Sequence, residues 1–138
     1  MAVMGVNIVS IWKEHDIETK IVDILSEITY QSKPDHHFGI PFITAYQLAI
    51  EVKKRHPEIV KDLGYKVGGQ GTNEQNSLSQ YLAQQLSQRI KSGEISNIEG
   101  AFLSNQNLEE IAFDNNGERL VSSLTDSQYD LSMYRIIK

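Results

Sequence analysis

Cysteine is absent from the 138 residues, which excludes disulfides, thiolate zinc sites and cysteine nucleophiles and suits a reducing compartment. Proline occurs only three times, too seldom for a proline-rich linker or tail. No apolar run approaches the roughly 18 residues that a membrane-spanning helix needs. Residues 1–12 lack the basic start, long apolar stretch and small-residue cleavage site of a secretory leader. The expected location is therefore the cytoplasm, with no membrane partner. Positive charge is the scarcer sign: 13 Lys and Arg stand against 18 Asp and Glu, a net charge of −5. That balance excludes a polycation that would coat nucleic acid indiscriminately. What is present fits one folded domain, with 40% apolar and 22% charged residues. A chain of this length hides roughly 68–70% of its unfolded surface, enough for a real core. The expected organisation is a single α+β domain over residues 1–138, with an N-terminal strand or arm (1–15), a helical part (16–92) and a β-rich part (93–138).

Val3, Val6, Ile8, Val9 and Ile11 form a β-branched run that reads as a strand. Asp16 reads as an N-cap, followed by Ile17, Ile21, Ile24, Leu25 and Ile28 at helical spacing up to Tyr30. Residues 31–41 carry turn formers, and Phe38, Ile40 and Phe42 read as a short strand. Thr44 and Gln47 form a capping box, flanked by Ile43 and Leu48 at the staple positions. The helix they open closes on Lys53, Lys54 and Arg55, cations that suit the negative end of a helix dipole. Pro57 suits the first turn of another short helix, which Gly64 ends. Glycines 68, 69 and 71 mark a mobile connection, after which Ser77 and Gln80 read as a second capping box. Leu78, Tyr81, Leu82, Leu86 and Ile90 form the inward stripe of the helix they open, which stops near Gly93. Four β-like runs follow over 98–104, 108–114, 119–124 and 129–137, with Asn116-Gly117 as the strongest hairpin signal.

The helix after Ser77 holds the chemistry. At 100° per residue, Gln80, Gln84, Ser87, Gln88 and Lys91 lie opposite the leucines, and no carboxylate occurs between Glu74 and Glu94. Phosphates repel carboxylates, and Gln and Arg match the donor and acceptor pairs of adenine and guanine edges. The N-terminal turn of the helix also offers backbone N–H groups to a phosphate. Charge is distributed unevenly: residues 41–92 hold seven bases against four acids, including Lys53, Lys54, Arg55 and Lys66, while residues 93–138 hold three bases against eight acids. Around the Asn115-Asn116-Gly117 tip stand Glu109, Glu110, Asp114 and Glu118.

This succession, a leading helix, a short strand, a helix from Thr44, a helix from Ser77 and a hairpin with Asn115-Asn116-Gly117 at its tip, resembles a winged helix-turn-helix domain over roughly residues 16–124. The resemblance implies a winged-helix-like fold of three to four helices with a C-terminal antiparallel hairpin or meander. It implies that the third helix enters the major groove of double-stranded DNA through Gln80, Gln84, Ser87, Gln88 and Lys91. The wing residues Asn115, Asn116 and Arg119 would touch the backbone or minor groove, with Lys53, Lys54, Arg55 and Lys66 in the basic segment that docks. The expected function is a small DNA-binding protein of the transcriptional-regulator kind acting as a homodimer. A protein-interaction module on a similar scaffold is the alternative.

No enzymatic signature opposes this reading, and neither a catalytic group nor a cofactor is expected. The run 67–72 lacks the phosphate-loop and dinucleotide-loop patterns. Asp35, His36 and His37 are adjacent in an extended loop, where neighbouring side chains diverge, so they do not read as a metal site. Trp12, Tyr46 and Tyr81 read as packing residues.

Overall fold

The computed structural model describes residues 7–29, 37–68, 77–122 and 130–137, with backbone alone for 7–10. Its helices are α1 (Asn7–Glu14), α2 (Ile17–Ser26), α3 (Ala45–Arg55), α4 (Pro57–Leu63) and α5 (Leu78–Ser92), and its strands are β1 (Ile43–Thr44), β2 (Ile98–Leu103), β3 (Ala112–Asn115), β4 (Glu118–Val121) and β5 (Leu131–Ile136). The class is α+β. One antiparallel sheet has the order β1-β5-β2, and β3 and β4 pair as a separate hairpin. Register is fixed by pairs such as Ile43 with Tyr134 and Gly100 with Tyr134.

A single core runs from Trp12 to Ile136 and includes Ile17, Ile21, Leu25, Leu48, Val52, Leu78, Leu82, Leu86 and Ile98. The helical spacing read from sequence supplies these positions in α2, α3 and α5. Local chemistry sets the ends. Gln47 N–H donates to Thr44 Oγ1 at 3.1 Å, and Thr44 N–H donates to Gln47 Oε1 at 2.7 Å. Pro57 begins α4, Gly64 caps it, and Gly93 caps α5. Asn116 and Gly117 both have positive φ, as a tight two-residue hairpin turn requires.

Several expectations are corrected. Five helices are present among the described residues. The stretch read as an N-terminal strand contains α1, because the helix sets Ile11 and Trp12 side by side against the core, and that burial outweighs β-branched propensity. The predicted strand at 38–42 is displaced to Ile43–Thr44. Pro41 has no N–H to give a ladder, and Phe38 is 75% exposed. Arg135 holds this segment instead: its Nη1 donates to the carbonyls of Phe38 and Ile40 at 2.7 and 3.1 Å, and its guanidinium lies 4.3 Å from the centre of the Phe42 ring. Helix α2 stops at Ser26, short of Tyr30. Asp16 occupies its N-cap without capping a backbone N–H and accepts from the Thr19 hydroxyl at 2.9 Å.

Candidate nucleic-acid interface

Helix α5 is 15 residues long, or about 22 Å at 1.5 Å per residue. Leu78, Tyr81, Leu82 and Leu86 are buried, while Gln80, Gln84, Ser87, Gln88 and Lys91 are all exposed. The five share an arc of about 100° on the outward side. Ser77 accepts the Gln80 N–H at 3.1 Å. The reciprocal half of the box is not part of this cap.

The first turn of α5 is occupied by its own chain. Leu78 N–H donates to the Lys66 carbonyl at 2.7 Å, Ser79 N–H to the Val67 carbonyl at 3.0 Å and Tyr81 N–H to the Ser77 carbonyl at 2.9 Å. With Gln80 capped by Ser77, the N–H groups expected to meet a phosphate are already satisfied, so the helix terminus is not a phosphate cradle. The same contacts fix Lys66 beside the start of the outward face, with Lys91 near its end.

The glycine-rich connection is packed where it meets α5. Gly68 has φ of 145°, and a Cβ placed there would lie 2.6 Å from Ser79 Oγ and 3.1 Å from the Tyr46 ring. Tyr46 in turn stacks on Phe113 of β3, with centroids 5.3 Å apart. The hairpin therefore packs against the start of α3. Residues 69–76, the rest of the predicted loop, lie outside the described residues, as does His36. His37 packs its ring on Phe38. No group of three or more metal-ligating side chains occurs among the described residues.

Several predicted cations are engaged elsewhere. Arg55 donates to both carboxylate oxygens of Glu27 at 2.9 Å and to Glu51 at 3.2 Å. This pairing raises the Arg55 pKa and lowers that of Glu27. Lys54 lies 3.7 Å from Glu51. Arg89 pairs with Glu94, donates to Gln85 at 3.1 Å and lies 4.6 Å from the centre of the buried Trp12 ring, leaving its side chain 12% exposed. Lys53, Lys66 and Lys91 are exposed and make no ion pair with another described residue.

The hairpin does not join the α5 face. Asn115 is 8% exposed, so burial withdraws it from a wing contact, and Arg119 pairs with Glu110. Asn116 remains exposed at the turn. The strands β2 and β5 do border α5. Tyr134 O–H donates to the Ala83 carbonyl at 3.3 Å, so the Ser87 hydroxyl, also 3.3 Å away, supplies the proton of their mutual bond. Beside this pair a groove of about 250 Å³ is lined by Ser87, Ile90, Lys91, Gly100, Phe102 and Tyr134, among others. Sequence reasoning missed Gly100 and Phe102; their signal is a glycine and an aromatic two positions apart on one strand face. No protein-family model, curated protein or solved structure matches this chain.

Proposed function

We propose that the chain is a small winged-helix-like protein that binds double-stranded DNA, reading base edges with α5 and docking through Lys53, Lys66 and Lys91. One observation carries the reading. The outward face of α5 exposes Gln80, Gln84, Ser87, Gln88 and Lys91 and holds no carboxylate, although the chain is acidic. A major groove accepts such a helix, and Gln side chains pair with adenine in two-point fashion. The order α2, β1, α3, α4, α5 and then antiparallel strands follows the winged-helix succession, with α4 as an addition between its second and third helices. Nearby carboxylates are neutralised, Glu94 by Arg89 and Glu99 by Arg135 at 2.6 Å. Transcriptional regulation is the process this binding would serve.

Three phosphate contacts, one each from Lys53, Lys66 and Lys91, give a slope of log affinity against log salt of about −2.7, a loss of about 40-fold between 50 and 200 mM salt. Fluorescence anisotropy on mixed-sequence duplexes measures this directly. Once a preferred site is selected, Gln84→Ala costs about 1–3 kcal/mol of discrimination there and little on unrelated sequences. Absence of salt-sensitive binding at micromolar protein in low salt refutes the proposal.

A further inference from the structure

The strand β2 is the outer strand of the sheet order β1-β5-β2, and among the described residues no strand lies on its other side. Its sequence, Ile98-Glu-Gly-Ala-Phe-Leu103, carries neither the lysine nor the proline that protects exposed edges. Two side chains on this edge leave apolar surface in water: Phe102 is 72% exposed and Leu103 38%. Cross-strand pairing sets Ile98, Gly100 and Phe102 on the same sheet face as Ile136, Tyr134 and Ser132. This is the face that meets α5, since Tyr134 bonds Ala83 and lies near Ser87. On it, Phe102 is a knob, and the open space is the groove beside Gly100, over which the Tyr134 ring already leans. A Cβ at Gly100 would approach the Tyr134 ring to 3.3 Å, and the groove of about 250 Å³ opens there.

We infer that β2 pairs antiparallel with β2 of a second copy of this chain, about a two-fold axis through Ala101. In that register Gly100 stands opposite the partner copy's Phe102, and the reverse, so each aromatic ring enters the other copy's groove beside Gly100 and meets its Tyr134 ring. Cross-strand aromatic pairs are favourable. The occupant is a second copy because the Phe102 knob and the groove beside Gly100 lie two residues apart on one edge. Antiparallel self-pairing fills both grooves and covers both knobs together, whereas an unrelated strand leaves Phe102 exposed unless it brings a matching groove. Charge agrees. The one charged residue of the strand, Glu99, is already paired with Arg135 at 2.6 Å and faces Leu103 in this register instead of a second Glu99. The two three-stranded sheets become one continuous sheet, and the outward main-chain groups of both edges gain partners. Each copy carries −5, so salt, which screens that repulsion, strengthens the pairing. DNA binding responds to salt with the opposite sign, which separates the two readings although the groove shares Ser87 and Lys91 with the proposed DNA face.

Sedimentation velocity of the full chain, with cysteine cross-linking in a chain that has none of its own, tests the inference. The expected result is a concentration-dependent dimer whose dissociation constant rises at least about tenfold in Phe102→Ala, with the circular dichroism and melting of the wild type. Under oxidation, Ala101→Cys, which lies on the axis, forms a covalent dimer. Ser104→Cys, separated from its copy by about 20 Å in this register, does not. A wild-type monomer at roughly 100 µM, an unchanged dissociation constant in Phe102→Ala, or equal cross-linking at Ser104→Cys overturns it.

Discussion

Replacing Gly68 by alanine tests whether the junction before α5 is a packed element or a mobile connection. The new Cβ would meet Ser79 Oγ at 2.6 Å and the Tyr46 ring at 3.1 Å, on a backbone whose φ of 145° L-residues rarely adopt. The backbone contribution is about 1–3 kcal/mol, and overpacking adds about 1–3 kcal/mol where neighbours cannot retreat. Retreat is restricted on both sides. Ser79 Oγ lies 3.1 Å from Ser77 Oγ, the cap of α5, and Tyr46 is stacked between Gly68 and Phe113. Partial relaxation leaves about 2–4 kcal/mol, a large share of the roughly 5–15 kcal/mol that holds a domain together. For 138 residues this lowers the melting temperature by roughly 6–14 °C. Urea denaturation and thermal melting followed by circular dichroism measure the loss. Adding Ser79→Ala removes the nearer obstacle, so the double variant recovers part of it, and the cycle isolates that contact. A Gly68→Ala chain within about 0.5 kcal/mol of wild type would show that the junction yields freely and refute the argument.

Burial pushes the Tyr81 phenol up to about 12 from its ordinary 10, with the Arg89 charge opposing the shift and Tyr65 adding to it. Its folded form holds a proton that the unfolded form has lost. The contribution is complete below pH 10 and disappears as pH rises from 10 through 12, on the order of 2–3 kcal/mol. Tyr81→Phe removes this alkaline component from a stability-versus-pH profile, and an unchanged profile contradicts the assignment. Thr44→Ala leaves the Gln47 N–H without its acceptor. It lowers stability by about 1–2 kcal/mol in urea denaturation, and a cost near zero would mean that water replaces the hydroxyl.

Much of the helical part is legible because local rules and tertiary burial agree there. Thr44 and Gln47, Pro57, Gly64, Ser77 and Gly93 bound elements where their side chains or backbones dictate. Asn116-Gly117 likewise specifies its hairpin. The misreadings arise where distant partners decide. Trp12 draws its β-branched neighbourhood into α1 by packing near Tyr81 and under Arg89. Gly68 reads as a spacer, although its role is to let Tyr46 and Ser79 approach. The candidate face shows the same division: periodicity finds the outward residues of α5. The cations around it are sorted by pairings that spacing shows only in part. Arg55 has Glu51 one turn away but Glu27 on another helix. Arg119 meets Glu110 across the hairpin, and burial of Asn115 depends on how that hairpin packs.

The position of β5 in the sheet has a kinetic consequence. It is the central strand, yet among the described elements it comes last in chain order. Its partner β1 is separated from it in the chain by three helices, α3, α4 and α5, and three strands, β2, β3 and β4. During synthesis the helices assemble from local contacts, while β1 and β2 have no common neighbour until residues 131–136 emerge. Closing so long a loop makes sheet formation the late step of folding. Until then the apolar edge of β2 is exposed on both sides, so the nascent chain is most exposed to mispairing just before its last strand arrives.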